Sequence, residues 1–293
     1  MNRSTHLPRR LAVVLAIASM TAPAVASAAP SGADDTTPTT EAAAPTSTTE
    51  PLVIEGDAAC TPYVGVTLAL SSEVPDPEAI GELLDDLEGA TPQDLDEDLP
   101  VMIEAARAVL ESGGEDFSPF ETPEFTEAQA AVDPWMFENC EFDQELEVTT
   151  VDYGFEGLPE ELKSGTTAIL LTNEGSEMHE IAMYRRNDDT TEPWMELLEL
   201  PEEEAMTKVT SVASGFVPMN GSTTLVVASL EPGDYAALCF VPTGSTMAEG
   251  EMTEGTGPPH FVAGMLHEFT VTDEAASDAT DDTTETTTET TTG

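Results

Sequence analysis

The chain has 293 residues, 40% of them hydrophobic, which is enough apolar material for one or two packed domains with tails. It carries 58 acidic against 8 basic residues, a formal charge of −50 at pH 7. A surface this anionic excludes nucleic acid and anionic lipid as partners and steers the molecule toward basic proteins.

Residues 1–29 hold Arg3, Arg9 and Arg10, an apolar run over residues 11–17, and small residues up to Ala28. This is the pattern of a secretory signal peptide cleaved near Ala28 or Ala29. The run is too short to span a bilayer and breaks at Thr21 and Pro23. No cysteine follows it closely enough for lipid attachment, so an exported, secreted protein with no membrane span is expected. Residues 30–57 are mainly Thr, Ala, Pro and acid, a composition that buries too little surface to offset its ordering entropy. They read as a disordered linker.

Residues 58–143 read as a small helical domain. Proline after a capping residue marks candidate helix starts at Thr61-Pro62, Asp76-Pro77, Thr91-Pro92, Thr122-Pro123 and Asp133-Pro134. Ile80, Leu83, Leu84 and Leu87 fall at helical spacing, as do Ile103, Ala106 and Leu110, and Gly113-Gly114 is a stop. Phe117, Phe120, Phe125, Trp135 and Phe137 read as core. The many acids here form no catalytic constellation and read as solvated faces.

Cys60 and Cys140 bracket this domain, and the chain has three cysteines in all. In an exported protein two of three should pair, which predicts a Cys60–Cys140 disulfide and leaves Cys239 free. The alternative is two buried thiols.

Residues 144–273 change period. Alternation near Val148, a continuous apolar run at 167–172 and further strand-like segments at 179–184, 225–230, 234–241 and 267–271 predict short strands of a β-sandwich. Residues 190–209, with Trp194, Leu197 and Leu198, read as a helical or irregular insertion between strands. Residues 274–293 are almost entirely Thr and acid, with no large apolar residue, and read as a disordered tail. The expected architecture is α+β and multidomain, with a small N-terminal helical domain before an all-β Greek-key sandwich.

Four soft-metal donors fall in the β half: His179, Cys239, His260 and Met265. The chemistry of a thiolate, two imidazoles and a weak thioether suits copper in both oxidation states. The spacings Gly233-x-Tyr235-x-x-x-Cys239 and His260-x-x-x-x-Met265, with Asn173 six positions before His179, resemble cupredoxins of the plastocyanin, pseudoazurin and nitrite-reductase kind. That resemblance implies a cupredoxin-like sandwich holding one type 1 copper on His179, Cys239, His260 and Met265. It further implies a single-electron carrier, not an enzyme, with an exposed His260 edge rimmed by Pro258, Pro259, Phe261 and Val262. A monomer that docks a basic redox partner is expected.

Two departures from the family stand out. Twenty residues separate Cys239 from His260, more than plastocyanins use. Glu180 occupies the position where many members carry an Asn that ties the ligand loops together, which implies a missing tie and a looser site.

His267, two residues past Met265, reads as a packed or supporting histidine and not as a donor. Two other function classes fit less of the sequence. One is copper sequestration or delivery with Met247 and Met252 as extra Cu(I) donors; the other is a metal-free interaction module. A multicopper oxidase needs many more histidines than the three beyond the signal peptide, and no base is paired with a nucleophile for hydrolysis.

Overall fold

The computed structural model describes residues 52–72, 75–248 and 251–273. The expected signal peptide, most of the linker and the acidic tail lie outside the described residues.

The first short strand, β1 (Glu55–Gly56), is followed by four helices: α1 (Cys60–Leu70), α2 (Pro77–Gly89), α3 (Leu99–Glu111) and α4 (Pro123–Asn139). Local chemistry explains two of the starts. Asp76 accepts from the Glu78 and Ala79 amides at the head of α2, and Thr122 accepts from the Phe125 amide at the head of α4, each with proline next in line. The other three expected starts differ. Thr61 sits inside α1 and turns its hydroxyl to the Ile54 backbone instead. Thr91 caps the end of α2 through the carbonyls of Leu87 and Glu88, and only a 3-10 turn follows. Asp133-Pro134 lies within α4, because its carboxylate is drawn away to the sheet. The Gly113-Gly114 stop is present, both glycines taking positive φ just after α3.

Helix α2 buries Ile80, Leu84 and Leu87. At roughly 1.5–3 kcal/mol per buried aliphatic side chain, these decide its orientation. The five aromatics expected as core are only half-buried; Phe120, Trp135 and Phe137 line the edge of the helical core, and Phe120 packs tilted against Phe125 at 4.9 Å. Cys60 and Cys140 form a disulfide with Cα atoms 5.5 Å apart, and Cys239 is the free cysteine. Closing a loop of 80 residues constrains the unfolded chain by about 4 kcal/mol.

Strands then succeed one another: β2 (Cys140–Glu141), β3 (Gln144–Val151), β4 (Gly154–Glu156), β5 (Glu161–Lys163), β6 (Gly165–Asn173) and β7 (His179–Arg186). The insertion forms two single-turn helices, α5 (Trp194–Leu197) and α6 (Glu202–Ala205). It is followed by β8 (Val209–Val217), β9 (Thr223–Leu230), β10 (Gly233–Leu238), a hairpin of β11 (Thr246–Ala248) and β12 (Glu251–Thr253), and β13 (Leu266–Thr272). Two sheets form the sandwich, in the orders β5-β13-β10-β7-β8 and β4-β3-β6-β9. Pairing is antiparallel except for β3 with β6 and β13 with β5. Ile169, Leu171 and Val226 of one sheet meet Ile181, Met183, Tyr235 and Phe269 of the other in one core. Tyr235 locks the turn before β10, its hydroxyl donating to the Glu231 carbonyl at 2.7 Å and accepting from the Glu231 amide.

The helices share a core with the sheet. Ala168, Leu225 and Val227 belong to the same buried cluster as Ile80, Leu99 and Met136. Helix α4 also closes the open edge of β9: Asp133 accepts from the Leu225 amide at 2.8 Å and Gln129 donates to the Thr224 hydroxyl at 2.9 Å. Asp133 is fully buried and accepts from Tyr63 as well, and burial pushes its carboxyl up to about 6.

Candidate metal centre

Three antiparallel neighbours, β13, β10 and β7, bring the donors together at one end of the sandwich. His179 opens β7, Cys239 follows the last residue of β10, and Met265 precedes β13. Because Leu238 is in register with both Ala182 and Leu266, the chain just past β10 falls beside the starts of its two neighbours. His260 opens a 3-10 turn whose backbone is pinned to the same end: its amide donates to the Val241 carbonyl, and the Phe261 amide donates to the Cys239 carbonyl, both at 2.9 Å.

His179, Cys239 and His260 are fully buried, and their donor atoms lie within 4.8 Å of one another. The two Nδ1 atoms are 3.1 Å apart, and the Cys239 sulfur is 3.4 Å from His260 Nδ1. Met265 is fully buried in the same cluster as Cys239, with Met178, Val241 and Met247 around it. His267 is not part of the group: its Nε2 donates to the Pro159 carbonyl at 3.0 Å, and its ring lies along Phe269.

The 20-residue excursion between Cys239 and His260 is zipped shut at its neck. Pro242 bridges to Pro259, the Thr243 amide and hydroxyl both donate to the Pro258 carbonyl, and β11 pairs with β12 farther out. A long loop closed in this way holds its ends as a short loop does, so its length does not open the site. Glu180 also departs from expectation. Its buried carboxylate accepts from the Phe240 amide at 2.8 Å, fastening the start of β7 to the segment just past Cys239. A tie between these two segments is therefore present, made by a glutamate, and burial pushes that carboxyl up to about 7.

The remote nitrogens of the two histidines meet carboxylates. His179 Nε2 is 3.3 Å from Asp152 Oδ1, and His260 Nε2 is 3.0 Å from Glu177 Oε2. Burial opposes ionisation at both acids, yet each is held below the usual carboxylate range: Asp152 by the Ser176 hydroxyl and the Ser176 and Glu177 amides, Glu177 by the Gly244 amide, Tyr153 and His260. Burial, followed by the neighbouring His260, lowers the pKa of His179. At Cys239 burial dominates, the Glu180 and Glu177 charges add to it, and the thiol is pushed up to about 12. Such a thiol keeps its proton until a cation takes the proton's place.

The approach to His179 is set by Asn173 and Gly175. Asn173 is fully buried; its amide group donates to the Glu177 and Val217 carbonyls and its oxygen accepts from the Gly175 amide. A side chain at Gly175 would sit 2.5 Å from His179 Nε2 and 2.6 Å from Asp152 Oδ1, so only glycine leaves room for that pair.

The His260 edge is not exposed, contrary to expectation. Glu177 covers its nitrogen, and Tyr153 stands edge-on to the ring at 5.1 Å. Of the expected rim, Val262 is 55% exposed and Pro258 exposed, whereas Phe261 turns inward onto Phe240 at 5.4 Å. Asp152, Tyr153, Gly175 and Glu177 escaped the sequence reading. The one local hint was position: Glu177 stands two residues before His179.

The donor set fits copper. Two donors about 2.0 Å from one ion at tetrahedral-to-trigonal angles lie roughly 3.3–3.5 Å apart, close to the 3.1 Å that separates the two Nδ1 atoms. The sulfur and imidazole donors are those a soft, redox-active ion selects.

No protein-family model matches the chain, and no curated protein matches it. Among solved structures it is similar to auracyanin B, with 17% identity and a TM-score of 0.30 over 45% of this chain and 90% of that one. It is similar also to rusticyanin from Thiobacillus ferrooxidans, with 14% identity and a TM-score of 0.27 over 43% of this chain and 77% of that one. A multicopper oxidase aligns with 45% of its own length and 45% of this chain, at 12% identity and a TM-score of 0.25. Among the described residues, no helix is long and apolar enough to cross a membrane.

Proposed function

We propose that the chain is an exported type 1 copper protein that carries single electrons, with His179, Cys239 and His260 as the close donors and Met265 as the weak fourth. One observation carries this reading. An ionised carboxylate only accepts hydrogen bonds, so each imidazole must place its proton on the Nε2 that faces Asp152 or Glu177. The two Nδ1 lone pairs then face each other at 3.1 Å. The one donor beside them, the protonated Cys239 thiol 3.4 Å from His260 Nδ1, can satisfy only one of the two. Buried lone pairs that face one another need a cation between them.

Copper bound here supplies a one-electron couple. The protein's part is to keep the donors still as the charge changes. Strand ends hold His179 and Cys239, backbone hydrogen bonds hold His260 and Met265, and the Glu180 carboxylate joins the two sides. The extracytoplasmic location is supported by the signal-peptide pattern and by the disulfide. The charge of −50 favours a basic partner, whose association weakens as salt rises. Because Glu177 and Tyr153 cover the His260 edge, the partner contacts the surface beside Val262 and Pro258 and not a bare imidazole.

The test is a metal analysis and visible spectrum of the protein produced with copper. One copper per chain with an intense thiolate band is expected. No copper under any condition would leave a metal-free binding module. A second reading, copper storage or delivery, is favoured by one feature: Met252 is exposed and stands directly across the hairpin from Met247, which packs on the donor cluster. Fast electron self-exchange supports the carrier; tight Cu(I) binding with sluggish exchange supports storage.

A further inference from the structure

Asp152 and Glu177 reach the two histidines from two loops that are bonded to each other, the Glu177 amide donating to Asp152 and the Tyr153 hydroxyl to Glu177. Asp152 opens the turn after β3, and Glu177 lies on the loop between β6 and β7. Each makes several bonds besides the one to its ring. Asp152 takes the Ser176 hydroxyl at 2.6 Å and the Ser176 amide at 2.8 Å. Glu177 takes the Tyr153 hydroxyl at 2.8 Å on one oxygen, and the Gly244 amide and His260 Nε2 on the other. Glu177 therefore joins three segments: its own loop, the turn carrying Tyr153, and the base of the long excursion that leads to His260.

We propose that Asp152 and Glu177 are paired positioning residues, which fix both histidines in the Nε2-protonated form, aim both Nδ1 lone pairs at one point, and strengthen them as donors to the oxidised ion. The proposal rests on the copper reading above for its redox part. The physical argument has two steps. First, a carboxylate opposite each Nε2 excludes the other neutral tautomer, which would put a proton between the donors. Second, an anionic acceptor on a ring's remote N–H raises the basicity of the near nitrogen. The extra negative charge stabilises a doubly charged ion more than a singly charged one, so the reduced state loses ground. The site is thus biased toward Cu(II) by two groups that never touch the metal.

The variants are Asp152→Asn and Glu177→Gln, which keep size and an accepting oxygen but remove charge. Glu174→Gln is the control, an exposed acid three residues from Glu177 whose carboxylate meets neither ring. Two measurements are made. In the copper-free full-length protein, imidazole nitrogen NMR should show protonated Nε2 and unprotonated Nδ1 on both rings; a protonated Nδ1 on either ring overturns the proposal. In the copper-loaded protein, each variant should lower Cu(II) affinity relative to Cu(I) by about tenfold, read as a rise in reduction potential of about 59 mV. Potentials indistinguishable from those of Glu174→Gln overturn it. Should Glu177→Gln fail to fold, Asp152→Asn alone decides. If the wild type takes up no copper, the copper reading has failed, and the NMR result judges the tautomer claim by itself.

Discussion

The seam between the helices and the sheet, and the donor end of the sandwich, are both buried and both built around carboxylates. They differ in whether their hydrogen bonds close. At the seam, Asp133 accepts from the Tyr63 hydroxyl at 2.7 Å and the Leu225 amide at 2.8 Å. Donors there meet acceptors, and the result is an edge strand sealed by a helix. At the donor end, Asp152 and Glu177 take the two remote ring protons and leave two lone pairs facing each other. A buried polar cluster whose donors and acceptors balance holds a fold together. One with a surplus of acceptors holds a cation.

Removing a donor should break the comparison most sharply. His179→Ala or His260→Ala should lower copper affinity by more than about 100-fold, the upper end of what losing a ligand's outer partner costs. Cys239→Ser should abolish the intense visible band, because that absorption belongs to the thiolate. At the seam, Asp133→Ala should leave copper affinity unchanged and instead cost about 2–5 kcal/mol of stability, since it strands a buried amide and a buried hydroxyl. Copper titration and urea unfolding of the same four proteins check this. Equal loss of copper affinity in Asp133→Ala would erase the distinction between the two regions.

The seam also carries a pH signature. Asp133 has a folded-state pKa raised to about 6 by burial, above the unfolded value of about 3.9. Between those values the folded state keeps a proton that the unfolded state has lost. Its contribution to stability is therefore full below about pH 4 and is lost as pH rises through 6, a change of about 3 kcal/mol. Asparagine keeps an oxygen for the Leu225 amide and offers its amino group to the Tyr63 oxygen. Asp133→Asn should thus gain stability relative to wild type by about 2 kcal/mol between pH 4 and pH 6.5, measured as the difference in urea unfolding. A difference independent of pH would mean that Asp133 does not titrate in that window.

Much of the sandwich was legible, because half-buried strands alternate and fully buried ones run apolar without a break. β6, β7, β9 and β13 lie within a residue or two of where Ile169, Ile181, Val227 and Phe269 put them. The grouping of His179, Cys239 and His260 was legible because thiol and imidazole are scarce in this chain: with three cysteines and four histidines, few other groupings exist. What stayed hidden depends on partners distant in sequence. Asp133 looked like a helix cap because its real partner, the Leu225 amide, lies 92 positions away. Glu177 and Asp152 were invisible among 58 acids, since nothing local marks a carboxylate that faces a ring nitrogen. Glu180 looked like a lost tie because a motif compares residue types, whereas the bond to Phe240 needs only an acceptor of sufficient reach. The β8 strand was missed because Thr, Ser and Gly dilute its pattern, and the β11–β12 hairpin because three-residue strands are too short to show a period.

The smallest expected effect comes from the third described histidine, and it tests the rule that separates the two regions. His267 is close to Met265 in sequence and sits on a strand that borders the donor end. Proximity alone would make it a candidate donor. Its hydrogen bonding says otherwise: Nε2 donates to the Pro159 carbonyl, a neutral acceptor, and the ring packs along Phe269 at 6.3 Å. Among the described residues it belongs to no cluster of candidate metal donors. Removing it as His267→Ala should cost about 1 kcal/mol, the net worth of one hydrogen bond, plus a small packing loss beside Phe269. Copper stoichiometry, the visible band and the reduction potential should stay where they are in the wild type. Unfolding curves and a redox titration of this one variant measure both sides. If His267→Ala bleaches the protein while His260→Ala does not, the downstream donor is His267, and counting unmatched lone pairs is the wrong way to tell a metal centre from a seam.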